Sequence, residues 1–128
     1  MRLDARAAAG PTLAGLLGIT GALHFVVPRF YDAIIPPVLP GSARTWVLAS
    51  GGAELVCAAA VASPRTRRLG AGLAAILFVL VFPANVQMAL NWRRGSTLRA
   101  LVGAARLPLQ VPLVWWAWRV HRSAGPVS

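Results

Sequence analysis

Acidic side chains are what this chain has least of. Its 128 residues include Asp4, Asp32 and Glu54 and no other carboxylate, against thirteen basic residues, every one an arginine. So few carboxylates leave little for general acid–base work, and no paired carboxylates, nucleophile triad or glycine-rich phosphate loop can be assembled from the chain. Cys57 is the single cysteine, which excludes an internal disulfide and a CxxC thiol relay. The two histidines, His24 and His121, lie in runs that carry them toward opposite sides and cannot share a metal. The residues therefore favour a non-enzyme, with no catalytic set, no metal site and no evident cofactor. Lysine is absent altogether, a compositional sign of a GC-rich genome.

Charge of any sign is also scarce. Charged residues make up 12% of the chain, about half of what a soluble domain carries, against 57% hydrophobic and a mean hydropathy of +0.64. One small domain, residues 1–128, cannot hide that much apolar surface inside itself. Lipid is the solvent that accommodates it.

The net charge of +10 does not indicate nucleic acid. The arginines are mostly grouped between apolar runs: Arg2 and Arg6; Arg65, Arg67 and Arg68; Arg93, Arg94 and Arg99; Arg119 and Arg122. A phosphate-tracking protein gathers its basic residues on one face of a folded domain, whereas clusters at the ends of apolar segments suit lipid headgroups and topology control.

Four runs reach the roughly 20 apolar residues that a spanning helix needs, and they predict helices over about 8–27, 43–63, 69–91 and 97–119. Ser42 and Ser96 stand at the N-cap positions of the second and fourth. The fold class is all-α: a polytopic four-helix membrane bundle, with a long apolar, proline-rich loop between helices 1 and 2. Trp46 and Trp92 fall at one interface and Trp115, Trp116 and Trp118 at the other, as aromatic belts do. The basic start and first apolar run read as a signal anchor, because no small-residue cleavage site follows. Seven arginines against five place both termini in the cytoplasm. Small residues should form the packing faces: Gly10, Ala14, Gly18 and Ala22, or Gly15, Gly18 and Gly21, in helix 1, and Ser50 to Ala53 in helix 2.

Ionisable groups inside a span mark functional sites by default. Glu54 lies about 16 Å and Arg106 about 14 Å from the same interface at 1.5 Å per residue. The expectation is an ion pair at mid-membrane depth, serving either a ligand or helix register. His24, about 5 Å from that interface on the same count, is too shallow to meet Glu54 directly. Asn85 and Gln110 are uncharged companions, and Asn85 rather than Gln87 should face inward, beside a turn that Pro83 distorts. Cys57 reads as a small packing residue. The loop PRFYDAIIPPVLPGSAR is too apolar to float in water; it reads as a lid on the helices, anchored by Tyr31 and Trp46.

The segments HFVVPRFYDAIIPPVLP, SGGAELVCAAA, FPANVQMAL and RLPLQVPLVWWAWR, in that order and spacing, resemble the DoxX-like family of small bacterial four-helix membrane proteins over nearly the whole chain. The resemblance carries over His24, Pro28, Tyr31, Pro36 and Pro40, then Glu54, then Pro83, Asn85 and Met88, then Arg106, Pro108 and Gln110. It implies a multi-pass protein of the bacterial inner membrane, associated with redox chemistry and with quinone as the cofactor to consider.

Three functions stay open. The first is a membrane accessory protein whose ligand-binding polar network is Glu54, Arg106, Asn85, Gln110, His24 and Tyr31. The second is a small proton-coupled exporter, and the third a structural subunit of a larger membrane complex. The expected partners are the lipid bilayer and other membrane subunits, not nucleic acid.

Overall fold

The computed structural model describes residues 2–124, with side chains from residue 8 onward. The side chains of Arg2, Asp4 and Arg6, which enter the topology argument above, lie outside the described residues. Six helices follow one another: α1 (Arg2–Val26), α2 (Pro28–Asp32), α3 (Ala43–Ala62), α4 (Arg67–Leu80), α5 (Phe82–Trp92) and α6 (Thr97–Ser123). The described chain is all-helical. Four stretches are long and apolar enough to cross a membrane: Ala8–Val26, Ala43–Ala62, Arg67–Trp92 and Thr97–Ser123. Most of each stretch faces outward, and the outward side chains are apolar, Ile19, Val56, Ile76, Leu80, Leu101 and Val111 among them.

Local chemistry sets the ends. The Ser42 hydroxyl accepts from the Thr45 amide and the Ser96 hydroxyl from the Arg99 amide, so each caps its helix at the expected position. After α3, Arg67 turns back to donate to the carbonyls of Val61 and Ala62, two acceptors that the helix end would leave unpaired. The third crossing is broken at Val81, with Pro83 in the first turn of α5; a residue without an N–H costs no hydrogen bond there, because first-turn amides have no partner within the helix. In contrast, α6 runs unbroken through Pro108 and Pro112.

The helices stand in a ring, α1 against α3, α3 against α4, and α6 against α4 and α5, while α1 and α6 close the ring only weakly. Leu13, Leu17, Val61, Ala71, Ala74, Phe78 and Ala117 fill its lower half, "lower" meaning the end where α6 finishes. Of the glycine stripes expected to pack, part does so. Gly21 and Gly51 meet across α1 and α3 closely enough that a Cβ on either would lie 3.1 Å from the other's carbonyl oxygen. A Cβ at Gly10 would strike the Arg67 side chain. Ala22 is exposed and Gly15 and Gly52 face open space, so small size at those three serves no contact.

Segment 27–42 folds over the upper ends of the helices. Asp32 accepts from Arg44 through both carboxylate oxygens, the shortest contact 2.8 Å. Trp46 donates its indole N–H to the Pro40 carbonyl at 2.7 Å, and Asn91 donates to the Ala33 carbonyl at 2.7 Å. Ile34 of this segment is buried.

Candidate functional site

Inside the ring, above the packed lower half, is a cavity of about 260 Å³. Leu16, Val47, Phe78, Val81, Leu109 and Leu113 make its walls, and Tyr31, Ile34 and Ile35 of segment 27–42 cover it. Its polar side chains are Thr20, His24, Ser50, Glu54, Asn85 and Arg106, so one chamber collects residues from α1, α3, α5 and α6.

The glycine crossing delivers the first two. Where Gly21 meets Gly51, His24 stands level with Gly51, one turn above Glu54 on α3. Cβ bonds tilt toward the N-terminus of their own helix. Because α1 runs up and α3 runs down, the two side chains lean toward each other. His24 Nδ1 lies 3.3 Å from Glu54 Oε2. This corrects the expectation that His24 is too shallow to reach Glu54. Depth counted from helix ends assumed that α1 and α3 end in one plane, whereas α3 extends above α1 and segment 27–42 covers the difference.

The His24 ring is held on two sides. Its Nδ1 is 2.7 Å from the Thr20 carbonyl, a distance that places the proton on Nδ1. Its face stacks on Tyr31, with ring centroids 3.9 Å apart and 16° between planes. Burial, with the Glu54 charge adding to it, pushes the Tyr31 phenol above its ordinary range, so it stays a neutral hydroxyl. The Glu54 carboxylate is buried, and its Oε2 accepts no hydrogen bond among the described residues.

Arg106 does not pair with Glu54, which overturns the expected ion pair: among the described residues no guanidinium nitrogen comes within 4.0 Å of that carboxylate. The reason is the ring order. Helices α3 and α6 stand diagonally, and the cavity lies between them. Equal depth brought the two charges to one chamber without bringing them into contact. Arg106 instead makes a long 3.5 Å contact to Gln110 Oε1.

Asn85 and Gln110 form the remaining part of the network. Both are buried, and Asn85 Nδ2 donates to Gln110 Oε1 at 2.9 Å. Gln110 Nε2 donates to the Phe78 carbonyl, a backbone acceptor one turn above which the helix breaks at Val81. Gln87 points away and bonds Asn91, so Asn85 is the inward residue of the two. Cys57 is buried in the lower core, outside the cavity lining. Among the described residues no three metal-ligating side chains come together. His121 donates to the Arg68 carbonyl near the opposite end.

Thr20 was not singled out from the sequence, and Ser50 was read only as a packing residue. Each stands four residues before a residue that was singled out, His24 and Glu54, and hence on the same helix face.

Residues 13–121 match the model of a family described as a domain of unknown function, DUF8561. The chain belongs to that family. Every residue lining the cavity falls inside the stretch matched to DUF8561, so the chamber is part of the family's domain and not of an appended segment. No curated protein and no solved structure matches this DUF8561 chain.

Proposed function

We infer that this protein is an integral membrane accessory protein of the DoxX-like type, in which a single four-helix bundle holds a small amphipathic ligand such as a quinone. On this reading it resides in the bacterial inner membrane with both termini in the cytoplasm. The apolar, proline-rich loop then lies at the outer interface as a lid, and Glu54, Arg106, Asn85, Gln110, His24 and Tyr31 form the ligand-binding network. One observation carries the inference: a cavity within membrane-crossing helices has apolar walls and ends on an acid and a base that do not neutralise each other by contact. Apolar walls with a few convergent polar groups are the usual make-up of a small-molecule site. Short-chain quinones titrated into the purified protein and followed spectroscopically should give saturable binding. Arg106→Gln should weaken it about tenfold, the cost of one charge-assisted hydrogen bond to a quinone carbonyl, and Glu54→Gln should change it as well, because an acceptor facing the guest becomes a donor. Affinity unchanged in both variants removes the site.

A second reading, a small proton-coupled exporter, draws support from the same departure from expectation. A glutamate in salt-bridge contact with arginine is held ionised and carries protons poorly; Glu54 has no such contact and sits beside a histidine in an enterable chamber. Proton-driven efflux in vesicles that disappears with Glu54→Gln would establish this reading, and no proton flux in the wild type would end it.

A further inference from the structure

The chamber's polar end is incomplete in a specific way. Glu54 Oε2 is a buried acceptor with no hydrogen bond among the described residues, the nearby Thr20 hydroxyl donating instead to the Leu16 carbonyl. His24 does not supply one, because its Nδ1 proton is directed to the Thr20 carbonyl at 2.7 Å and not to the carboxylate at 3.3 Å. Buried polar atoms in native proteins are normally partnered, and a guest that brings a donor completes the set. Across the chamber, Arg106 offers five N–H donors and spends one on a long contact to Gln110. A guest carrying negative charge is repelled by Glu54, and one carrying positive charge by Arg106. A hydroxyl suits both, since it donates to the first and accepts from the second.

The way in has its own character. Helices α1 and α6 are tied at the lower end, where the Trp116 indole donates to the Ala9 carbonyl at 3.2 Å, and they pack less than the other neighbouring crossings do. Above that tie, Leu16 and Thr20 of α1 and Leu109 and Leu113 of α6 all border the cavity, and Leu109 is half exposed to the outside. The seam between the two helices faces sideways, while segment 27–42 covers the top.

We propose that the chamber selects a neutral, bilayer-dissolved molecule with a hydroxylic head, its O–H donated to Glu54 Oε2 and its hydrocarbon tail leaving between α1 and α6. This rests on the reading that the chamber binds an amphipathic ligand, and it narrows that reading to the donor-bearing form.

The test uses the whole chain in lipid nanodiscs under anaerobic, reducing conditions. Three probes share one short alkyl tail: a hydroquinone, its O,O-dimethyl ether, and, in a separate non-reducing titration, the quinone. The hydroquinone should bind wild-type protein about tenfold or more tighter than the ether, which has the same ring and no donor. In Glu54→Leu the two should agree within about twofold, the acceptor being gone. In Arg106→Gln both should weaken while the preference for the hydroxyl persists. Equal binding of ether and hydroquinone by the wild type overturns the proposal and leaves the quinone-site reading standing. A preference that survives in Glu54→Leu also overturns it, because the donor's partner is then elsewhere. Binding of none of the three removes both readings. Should Glu54→Leu not fold, the wild-type comparison decides alone.

Discussion

Adding a single methyl group at Gly51 should force α1 and α3 apart. A Cβ there would lie 2.5 Å from His24 Cβ, 3.0 Å from Phe25 Cε2 and 3.1 Å from the Gly21 carbonyl oxygen, where an ordinary contact is 3.4–4 Å. One of the three neighbours is backbone and cannot rotate away, so the helices must separate by about 1 Å, an overpacking that costs about 1–3 kcal/mol. The adjacent Gly52 offers an internal control, since a Cβ there meets nothing within 4 Å. Both substitutions gain the same helix propensity, about 0.8–1.0 kcal/mol for Gly→Ala. The gap between Gly51→Ala and Gly52→Ala is therefore the steric cost alone. It should fall toward the upper end of the range, about 2–3 kcal/mol, with Gly52→Ala at or above wild-type stability. Reversible unfolding in mixed detergent–SDS micelles measures the difference. Because the same crossing sets His24 against Glu54, Gly51→Ala should also lose quinone binding while Gly52→Ala keeps it. Stabilities that agree within about 0.5 kcal/mol, the scatter of neutral surface changes, would refute the close approach of these helices.

Gln110→Leu leaves both the Phe78 carbonyl and Asn85 without their buried partner and should destabilise the fold by about 1–3 kcal/mol, read by the same unfolding assay. Asp32→Asn removes the charge and one of the two oxygens that accept from Arg44, and amide hydrogen exchange in residues 28–42 should speed up with the four crossings unaffected. The hydrogen-bonded Arg44 guanidinium holds the Asp32 carboxyl below its ordinary range. A depressed folded-state value means that the contact is fully present above the usual aspartate range and is lost as the pH falls through the lowered value. Exchange in that segment, taken relative to the pH-dependent intrinsic amide rate, should therefore rise at acid pH in the wild type and stay flat in Asp32→Asn. Cys57, 5% exposed, should resist maleimide in the folded protein and react once SDS unfolds it.

The crossings were legible because their signals are local. An apolar run of about 20 residues, a serine before it and arginines beyond it specify a span without reference to any other part of the chain. The break in the third crossing was equally legible at Pro83, since a missing N–H acts on its own helix. Relations between helices were not. Counting residues down from the interface put Glu54 and Arg106 at one depth and drew them into one chamber, yet depth carries no information about which helices are neighbours and which are diagonal. The same count misplaced His24, because nothing in an apolar run marks how far α3 rises above α1; that offset is set by the Gly21–Gly51 contact. Gln110 and Asn85 were read as uncharged companions of the two charges, and the clue to their arrangement was the helix break. A carbonyl released there needs a donor, and a buried amide on the neighbouring helix supplies it.

The diagonal placement of Glu54 and Arg106 has a mechanical consequence. Two opposite charges held across a hollow attract each other through whatever fills it, and the strength of that pull scales inversely with the polarisability of the filling. Water in the hollow mutes the attraction; a hydrocarbon body in its place strengthens it several-fold. An occupant thus tightens the frame around itself, drawing together the two helices that otherwise have least to say to one another.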